Sequence, residues 1–292
     1  MIGTALGAAL AARGDDPWVL TRGAPKGERQ VQWDPVKGIS GVERLAGLDA
    51  VVNLNGAPIG SRPWTKARRK VLWDSRVEAT NTLIRALGEL PAPPPVYLGA
   101  GGLGLFGDRG LETVDDEDPP GTGFLAELSL AWEDAHLASA GALGARAAVL
   151  RMSVVLGATG GVLPLLVPPF RVVGGWLGDG KQLTSWISLR DTVAAFLWLL
   201  DHPELRGGFN GTVPDAVPNY EWCAALGRVV HRPVVMQAPK WAMRGALGDL
   251  ADDLFLASLR AVPRRLLESG FRFADTDIEP TFRVLVEEFD RR

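Results

Sequence analysis

The sequence is poor in the residues that build disulfides and metal sites. Its 292 residues include one cysteine, Cys223, and three histidines. A single cysteine forms no internal disulfide, and the histidines lie far apart without the spacing of metal ligands. We therefore expect a chain from a reducing cytoplasm with no metal site, in which His136, His202 and His231 are structural or exposed.

An excess of one charge and long hydrophobic runs are also missing. The formal net charge is −3, so we expect no basic surface for nucleic acid or lipid. No apolar run approaches the roughly 20 residues of a membrane span. The first residues show no basic region followed by an apolar one, so no signal peptide is expected. These absences favour a small-molecule partner and leave the oligomeric state open.

What the sequence does have is an alternation of strand-length and helix-length segments. Hydrophobic residues make up 47% of the chain, which is enough for a sizeable core. The alternation predicts an α/β fold with a doubly wound parallel sheet. Strands are predicted at 18–20, 48–54, 96–98 and 147–157. Helices are predicted at 2–12, 64–90, 124–140 and 191–202, and helices dominate after residue 209.

The run LDAVVNLNG at residues 48–56 is central to this interpretation. Its apolar part shows no polar alternation, which is typical of a strand covered by helices on both faces. Ligands of open α/β sheets bind at the carboxyl ends of the strands. The end of this run, from Asn53 to Gly56, is therefore the first candidate for a cofactor site.

Two arginines are candidate anion ligands. Arg22 follows a predicted strand at the position where a dinucleotide-binding fold selects its cofactor, and arginine there accommodates the 2′-phosphate of NADP. The alternative is an exposed surface arginine. Arg76 falls within the apolar stripe of the 64–90 helix, where a guanidinium needs an anion. That anion is either the cofactor or a nearby carboxylate that the side chain reaches, and both interpretations stay open.

Two other patterns are interpreted as structural. The run GAGGLG at 99–104 contains G-x-G-x-x-G after a strand, but the dinucleotide fingerprint has to open a helix. Here a turn-rich loop follows, so we reject the match. The acidic run DDED at 115–118 has neither histidine nor a calcium-loop pattern, and it is interpreted as a solvated loop.

A series of motifs resembles one family along nearly the whole chain. They are VVNLNGAPI at 51–59, WT at 64–65, DSR at 74–76, GLFGDRG at 104–110, FLAE at 124–127 with WE at 132–133, LR at 150–151 with VVLG at 154–157, GDGKQ at 178–182, SWI at 185–187, HRP at 231–233 and PRRL at 263–266. The sequence is similar to the atypical, extended short-chain dehydrogenase/reductases called the "epimerase family", which are nucleoside-diphosphate-sugar epimerase-like.

The resemblance implies a Rossmann fold that binds NADP, with a small and mostly helical C-terminal domain over the cofactor cleft. We therefore expect a Rossmann core at residues 1–157. The remaining strands and a substrate-side domain are expected at 158–292. Leu54 and Asn55 match the strand end on the adenosine side, although the family usually has alanine at Asn55. Val71 and Arg76 match helix positions near the adenosine and phosphates.

Four further residues are carried over by the resemblance. Thr21 and Arg22 match the pair that holds the adenosine 2′-phosphate, and Val155 matches a residue beside the nicotinamide. Gly3 matches the last glycine of the family's opening Gly-x-x-Gly-x-x-Gly turn. The complete expected cofactor set is Gly3, Thr21, Arg22, Leu54, Asn55, Val71, Arg76 and Val155.

The chain departs from the family before Gly3, where the first strand and the glycine-rich turn are missing. In the common strand order the first strand lies between the second and the fourth. We therefore expect a gap between the 18–20 and 51–53 strands, with unpaired backbone groups on both sides. We also expect roughly ten upstream residues in the natural protein, since a strand and its turn need that length.

The proton-transfer residues are the second departure. Enzymes of this superfamily use a tyrosine as acid or base, with a lysine that lowers its pKa and a serine. The two tyrosines here are Tyr97 and Tyr220, and no Tyr-x-x-x-Lys occurs near residues 124–133. The relatives' serine and tyrosine positions hold Gly101, Leu105 and Phe106. The catalytic residues are therefore unknown, and four polar residues that could act there are interpreted as structural: Asp108, Glu127, Lys181 and Ser188.

Two hypotheses of function follow. The leading one is an NADP-dependent oxidoreductase or epimerase that acts on a small carbonyl or sugar-nucleotide-like substrate by hydride transfer. The alternative is a non-catalytic NADP sensor or scaffold that keeps the pocket without the Tyr/Lys pair. A purely structural domain is the third and weakest hypothesis.

Overall fold

The computed structural model describes residues 1–292, apart from the side chains of Ser139 and Ala140. The strands are β1 (Val19–Thr21), β2 (Gln30–Asp34), β3 (Gly38–Ile39), β4 (Ala50–Asn53), β5 (Val96–Gly102), β6 (Thr113–Val114), β7 (Arg146–Met152), β8 (Val154–Gly157), β9 (Gly160–Gly161), β10 (Gly174–Leu177), β11 (Leu183–Thr184), β12 (Trp186–Ser188), β13 (Gly207–Gly211), β14 (Val217–Pro218), β15 (Val234–Ala238) and β16 (Arg260–Ala261).

The helices lie between and after these strands. They are α1 (Ile2–Ala12), α2 (Lys66–Trp73), α3 (Ala79–Leu87), α4 (Phe124–Leu143), α5 (Leu163–Phe170), α6 (Leu189–Asp201), α7 (Asn219–Val229), α8 (Lys240–Leu247), α9 (Arg264–Glu268) and α10 (Ile278–Asp290). Two π-helical turns occur at Asp74–Glu78 and Ala251–Phe255, and two 3-10 turns at Val42–Leu45 and Leu103–Phe106.

The main sheet confirms the predicted parallel α/β architecture. Its four strands lie in the order β13-β7-β5-β4, and every pair is parallel. Leu98, Ala148 and Leu150 in the middle of the sheet are completely buried. Helices α4 and α6 both pack on β5 and β7, and this cover explains why the strands are apolar without alternation.

The expected gap in the sheet is present. Strand β1 pairs with β2, and β2 with β3, in a separate three-stranded sheet. Within the described residues, β1 and β4 share no hydrogen-bonded ladder. Leu20 of β1 and Val51 of β4 nevertheless join one hydrophobic cluster with Leu83 and Leu87 of α3. Among the described residues, the two sheets are connected here by side-chain packing and not by a backbone ladder.

Helix α1 begins and ends as predicted and buries Leu6, packing on α6. The long helix predicted at 64–90 differs from expectation in its middle. It begins after Thr65, whose side chain accepts a hydrogen bond from the Arg68 amide at 3.2 Å. It is then interrupted by the Asp74–Glu78 π-turn before α3 continues. Apolar periodicity alone gave no sign of this turn.

The second half of the chain combines helices with three two-stranded sheets. These pair β10 with β15, β11 with β14, and β16 with β6. Helices α7 and α10 pack through Trp222 and Phe282, whose ring centroids are 4.7 Å apart. The β16–β6 pairing ties Arg260 to Thr113, so the C-terminal part is anchored to the loop that follows β5. Helices dominate here as predicted, but strands this short were missed.

Candidate functional site

The loop at the carboxyl end of β4 is held by two neighbouring side chains of the π-turn. The Ser75 hydroxyl accepts a hydrogen bond from the Ala57 amide at 3.0 Å. The Arg76 Nη2 donates to the Ala57 carbonyl at 3.0 Å. Both backbone groups of Ala57 are therefore fixed by consecutive residues of the predicted DSR motif. Since π-turns are rare and often occur at functional sites, this turn marks the loop as a site candidate.

Arg76 is a buried cation that has no carboxylate partner among the described residues. Its side chain is 9% exposed, and its described partners are the carbonyls of Ala57 and Leu72. Burial, with a smaller contribution from the Arg68 charge, lowers the pKa of Arg76 to about 10. No carboxylate among the described side chains contacts Arg76. The alternative in which Arg76 pairs with a nearby carboxylate is therefore not observed. The guanidinium therefore fits the need for an external anion.

An indole ring and a glycine lie next to the Arg76 guanidinium. Its guanidinium carbon lies 5.0 Å from the centroid of the Trp132 ring. The buried indole N–H of Trp132 has no hydrogen-bond partner among the described residues. On the other side, a Cβ at Gly56 would lie 3.2 Å from the guanidinium carbon. Glycine thus lets the loop backbone lie close to the cation.

A buried hydrogen-bond network also holds the loop after β4. The Ala100 carbonyl lies 3.1 Å from His136 Nε2 and requires a proton there, so Nδ1 accepts from the Tyr97 hydroxyl at 3.2 Å. Tyr97 in turn accepts from the Asn53 amide nitrogen at 2.9 Å. The side-chain oxygen Oδ1 of Asn53 then accepts a hydrogen bond from the backbone N–H of Asn55 at 3.0 Å. The backbone of the candidate cofactor loop is set by a chain of fixed donors and acceptors.

Four of the sequence-predicted residues are joined by contacts. A Cβ at Gly3 would lie 3.5 Å from Leu54, so the start of α1 rests on the end of β4. Asn55 follows directly and is held by the network described above. Arg76 reaches the same loop through Ala57. The structure thus brings Gly3, Leu54, Asn55 and Arg76 together at one sheet edge.

The other four predicted residues lie on separate elements. Thr21 ends β1 and accepts the Gly23 amide at 3.3 Å, and the exposed Arg22 follows it. Val71 lies on α2 with 47% of its surface exposed. Val155 is half-buried in β8, which pairs with β12 and not with the main sheet. Their common role at one cofactor therefore stays a prediction.

The polar residues considered for proton transfer have structural surroundings. Ser188 caps α6, since its hydroxyl accepts the Asp191 amide at 3.0 Å. Asp108 accepts the amides of Gly110 and Ser258 at 3.0 and 3.1 Å. Glu127 and Lys181 are exposed.

Neither tyrosine lies where an acid or base is expected. Tyr97 is buried within its network, and burial raises its pKa. Tyr220 is half-exposed on α7, where its ring meets the edge of Trp176 at 5.2 Å. No group of histidine, cysteine and acidic side chains suited to hold a metal ion occurs within the part of the chain that the structure describes.

Sequence reasoning missed several buried carboxylates, among them Glu133 and Asp116. Glu133 forms a bidentate pair with Arg151, with both N–O distances 2.7 Å, and so joins α4 to β7. Asp116 is 5% exposed and accepts backbone amides from Asn210 and Arg265. The interpretation of the 115–118 run as a solvated loop is therefore wrong at Asp116. The four acidic residues look alike in sequence, so no local signal distinguishes the buried one.

Two cavities accompany these residues. The larger, of about 590 Å³, is an open groove at the start of α10 that none of the predicted cofactor residues lines. The smaller, of about 280 Å³, lies between the loop after β5, the start of α4 and the segment from α8 to Leu256. None of the predicted cofactor residues lines the smaller cavity either, but its residues Gly107 and Asp108 belong to the loop that follows β5 of the main sheet.

Comparison with known proteins identifies the family. A model described as the NAD dependent epimerase/dehydratase family matches residues 1–210. The chain belongs to this family. A second model, a domain of unknown function called DUF1731, matches residues 238–285. The family resemblance and the Rossmann-type fold expected from the motifs are both confirmed.

Relatives of this epimerase family extend over nearly the whole chain. An epimerase family protein of Mycobacterium leprae is 38% identical over 94% of this chain and 88% of its own length. The epimerase family protein SDR39U1 of Bos taurus is 32% identical over 98% of this chain and 96% of its own. A crystal structure of human SDR39U1 with NADPH superposes with a TM-score of 0.87 at 26% identity, covering 98% and 96% of the two chains.

The family comparison fixes the general cofactor type and leaves the substrate open. The matching family is NAD-dependent by description, and the human structure contains NADPH. The chain therefore has the fold of an NAD(P)-binding epimerase-type protein. Within the part of the chain that the structure describes, no helix has the length and apolar character needed to cross a bilayer.

Proposed function

We propose that this chain binds NADP(H) at the loop after β4 and transfers hydride between the nicotinamide and a carbonyl or hydroxyl of a small substrate. The observation that carries the proposal is Arg76, a buried guanidinium with no carboxylate among its described partners. A phosphorylated cofactor supplies the missing negative charge. The NADPH in the human relative supports the phosphorylated form of the cofactor.

Each of the eight residues has a proposed place toward the cofactor. Thr21 and Arg22 would hold the adenosine 2′-phosphate at the end of β1. The start of α1 at Gly3 offers backbone N–H groups with no side-chain cap, which suits the pyrophosphate. Leu54, Asn55, Val71 and Arg76 would line the adenosine and phosphate side, and Val155 the nicotinamide end. The proposed division places the Rossmann core at 1–157 and the substrate side at 158–292.

The protein's own contribution to the reaction is orientation. The bound cofactor would supply the hydride. The loop held by Ser75, Arg76 and the Asn53 network would fix the cofactor, because its backbone groups are already paired. The residue that moves the proton is not assigned, since neither tyrosine has the required surroundings.

The cofactor role of Arg22 is tested by the variant Arg22→Glu. Glutamate repels the 2′-phosphate but can accept a hydrogen bond from the 2′-hydroxyl of NAD. We expect NADPH affinity to fall by about tenfold or more, a loss of roughly 1.4 kcal/mol, while NADH affinity changes little. Isothermal titration with both cofactors measures this. An equal loss for both cofactors would refute the assigned role.

A second candidate function is an NADP sensor without catalysis. The observation in its favour is the position of the two tyrosines, one locked in a buried network and one on α7. NADPH-saturated protein with a panel of carbonyl compounds and sugar nucleotides, followed at the nicotinamide absorbance, separates the two. Turnover of any substrate supports the enzyme, whereas tight NADPH binding without turnover supports the sensor. Thermal melts that show no stabilisation by NADPH would contradict both.

A further inference from the structure

Arg68 of α2 reaches the loop after β4 beside Arg76. Its Nη2 donates hydrogen bonds to the Pro58 carbonyl and, at 3.2 Å, to the Ser61 hydroxyl. Arg76 Nη2 donates to the carbonyl of Ala57, the residue before Pro58. Two arginines thus bind consecutive carbonyls of one loop. Arg68 is not among the eight cofactor residues expected from the family motifs.

The positive charges of these two arginines are not neutralised by a carboxylate of the described residues. Neither Arg68 nor Arg76 forms an ion pair there, whereas the neighbouring Arg69 pairs with Asp249. Burial, and after it the charge of Arg68, lowers the pKa of Arg76 to about 10. The two guanidinium groups therefore repel each other. A bound anion would offset that repulsion.

The local sequence adds no negative charge that would balance the pair. Residues 50–73 contain no aspartate or glutamate, although arginine or lysine occupies positions 62, 66 and 68–70. The whole chain has a net charge of −3, so this stretch is an exception. It includes the start of α2, whose first turn has no acidic residue. Because the amino end of a helix carries partial positive charge, basic residues there raise the local positive potential further.

Two nitrogens of the Arg68 guanidinium have no acceptor among the described residues. Nε is enclosed by the protein and donates to none of them. Nη1 donates to none either, but it is not enclosed, and the residue is half-buried. Buried N–H groups of native proteins nearly always have a partner. Since the planar fork of a guanidinium matches two oxygens of one phosphate, the donors of Arg68 suit a phosphate group.

We propose that Arg68 and Arg76 act as a pair that binds one phosphate or pyrophosphate group of a ligand at the loop after β4. The inference rests on the proposed function, since Arg76 is the residue that carries it, and it adds Arg68 as a binding residue. The phosphate group belongs either to NADP(H) or to the substrate. In the second case the substrate is a phosphate ester or a nucleotide. The experiments below separate these two sources.

Inorganic pyrophosphate tests the arginine pair without NADPH. It is titrated calorimetrically at constant ionic strength into the apo wild type, Arg68→Met and Arg62→Met. Methionine keeps an unbranched stem and removes the charge and the donors. We expect the wild type to bind and Arg68→Met to lose affinity about tenfold or more. The control Arg62→Met removes an exposed arginine of the same loop and should stay within about twofold. No binding to the wild type, or equal affinities in the two variants, would overturn the proposal.

The variant Arg68→Lys distinguishes phosphate binding from a purely structural role of Arg68. Lysine keeps the charge and a donor for the Pro58 carbonyl but lacks the planar fork. We expect its pyrophosphate affinity to lie between those of the wild type and Arg68→Met, with its free energy of unfolding in urea unchanged. Should Arg68→Met not fold, Arg68→Lys decides alone. A loss of about threefold or more then supports the pair, and wild-type affinity contradicts it.

NADPH identifies the source of the phosphate group. If the cofactor supplies it, Arg68→Met weakens NADPH binding about tenfold, and pyrophosphate does not bind to NADPH-saturated protein. If the substrate supplies it, Arg68→Met leaves NADPH affinity unchanged, and pyrophosphate still binds to the saturated protein. Unchanged NADPH affinity in Arg68→Met together with no pyrophosphate binding to the saturated wild type would contradict both sources and refute the pair.

The outcomes separate this inference from the proposed function. Failure of the wild type to bind NADPH refutes the proposed function, whereas pyrophosphate binding that depends on Arg68 would still support the arginine pair. Tight NADPH binding, together with pyrophosphate binding that does not depend on Arg68, refutes the inference alone.

Discussion

At the scale of single residues, Arg76 and His136 are polar groups placed where solvent does not reach. Arg76 keeps its charge beside two carbonyls and an indole ring. His136 is completely buried between Tyr97 and the Ala100 carbonyl. Burial disfavours the charged form of both groups, but an arginine stays charged at any physiological pH, whereas a histidine becomes neutral.

Arg76 is expected to matter more for the cofactor than for folding. In Arg76→Leu the free energy of unfolding of the apo protein should change by less than about 1 kcal/mol, because a costly unpaired charge is removed along with its hydrogen bonds. NADPH affinity should fall by about 10- to 100-fold, since a charged hydrogen bond is worth about 1.5–3 kcal/mol. Urea unfolding and NADPH titration measure the two quantities. The exposed Arg272→Leu serves as control, and a large loss of apo stability would argue against the role.

His136 is expected to make stability depend on pH. Burial lowers the pKa of His136 to about 3, so the folded state keeps it neutral while the unfolded state takes up a proton below pH 6.5. The unfolded state then binds more protons, and the free energy of unfolding falls as the pH drops from 6.5 toward 3. The slope is about 1.4 kcal/mol per pH unit.

The variant His136→Gln isolates this effect. Glutamine can donate to the Ala100 carbonyl and accept from Tyr97, but it does not titrate. Urea unfolding at pH 7.5 and pH 5 should show a smaller pH dependence in the variant than in the wild type. Carboxylates with pKa values raised by burial, such as Asp116 and Asp191, are common to both proteins and cancel in the difference. Equal pH dependence would show that His136 is not the cause.

At the scale of elements, close approach between helix α4 and strand β5 depends on Gly99. A Cβ at Gly99 would lie 2.6 Å from the His136 ring, closer than real contacts allow. The helix can therefore place His136 under the strand only because the strand residue has no side chain. Further along, the buried Arg151–Glu133 pair joins the same helix to β7.

A pair of glycine substitutions tests this packing. Gly99→Ala should lower the free energy of unfolding by about 1–3 kcal/mol, because the added methyl group overpacks the interface. Gly7→Ala lies on α1 with no atom within 4 Å of the new methyl group. It should raise stability by about 0.5–1 kcal/mol through helix propensity. Urea unfolding measures both, and a neutral Gly99→Ala would mean that α4 moves away at little cost.

At the scale of the whole molecule, the sheet is divided between β1 and β4. The Val19 amide donates to Arg29 across the β1–β2 ladder. The backbone N–H groups of neighbouring residues in a strand point toward opposite edges of that strand. Since the Val19 amide points toward β2, the Leu20 amide points toward the open edge. Hydrophobic packing on α3 holds β1 and β4 together. This packing does not protect backbone amides without a hydrogen-bond acceptor against hydrogen exchange.

Amide hydrogen exchange measured by NMR can detect this open edge. The Leu20 amide should exchange much faster than that of Leu98, which lies in β5 between two paired strands. Val19, whose amide is bonded within β1–β2, serves as the internal control. Comparable protection at Leu20 and Leu98 would show that another backbone segment pairs with β1.

The sequence by itself determined the family, the α/β class and the positions of the main strands and helices in the first half of the chain. Local periodicity defines α1 and the strand before Asn53, and motifs such as DSR and GDGKQ need no three-dimensional information. The apolar stripe of the 64–90 segment also predicted that Arg76 is buried, which the structure confirms. The π-turn at Asp74–Glu78 was not predictable, because it leaves the apolar spacing nearly unchanged.

Only the tertiary structure decided which polar groups are paired. Asp253 caps α4 across 128 positions of sequence, and Tyr97 meets His136 across 39. Asp116 is buried while its acidic neighbours are not, because the backbone amides of Asn210 and Arg265 donate hydrogen bonds to its carboxylate. Charge and hydrogen bonding act between residues that folding brings together, and one-dimensional spacing does not contain those distances.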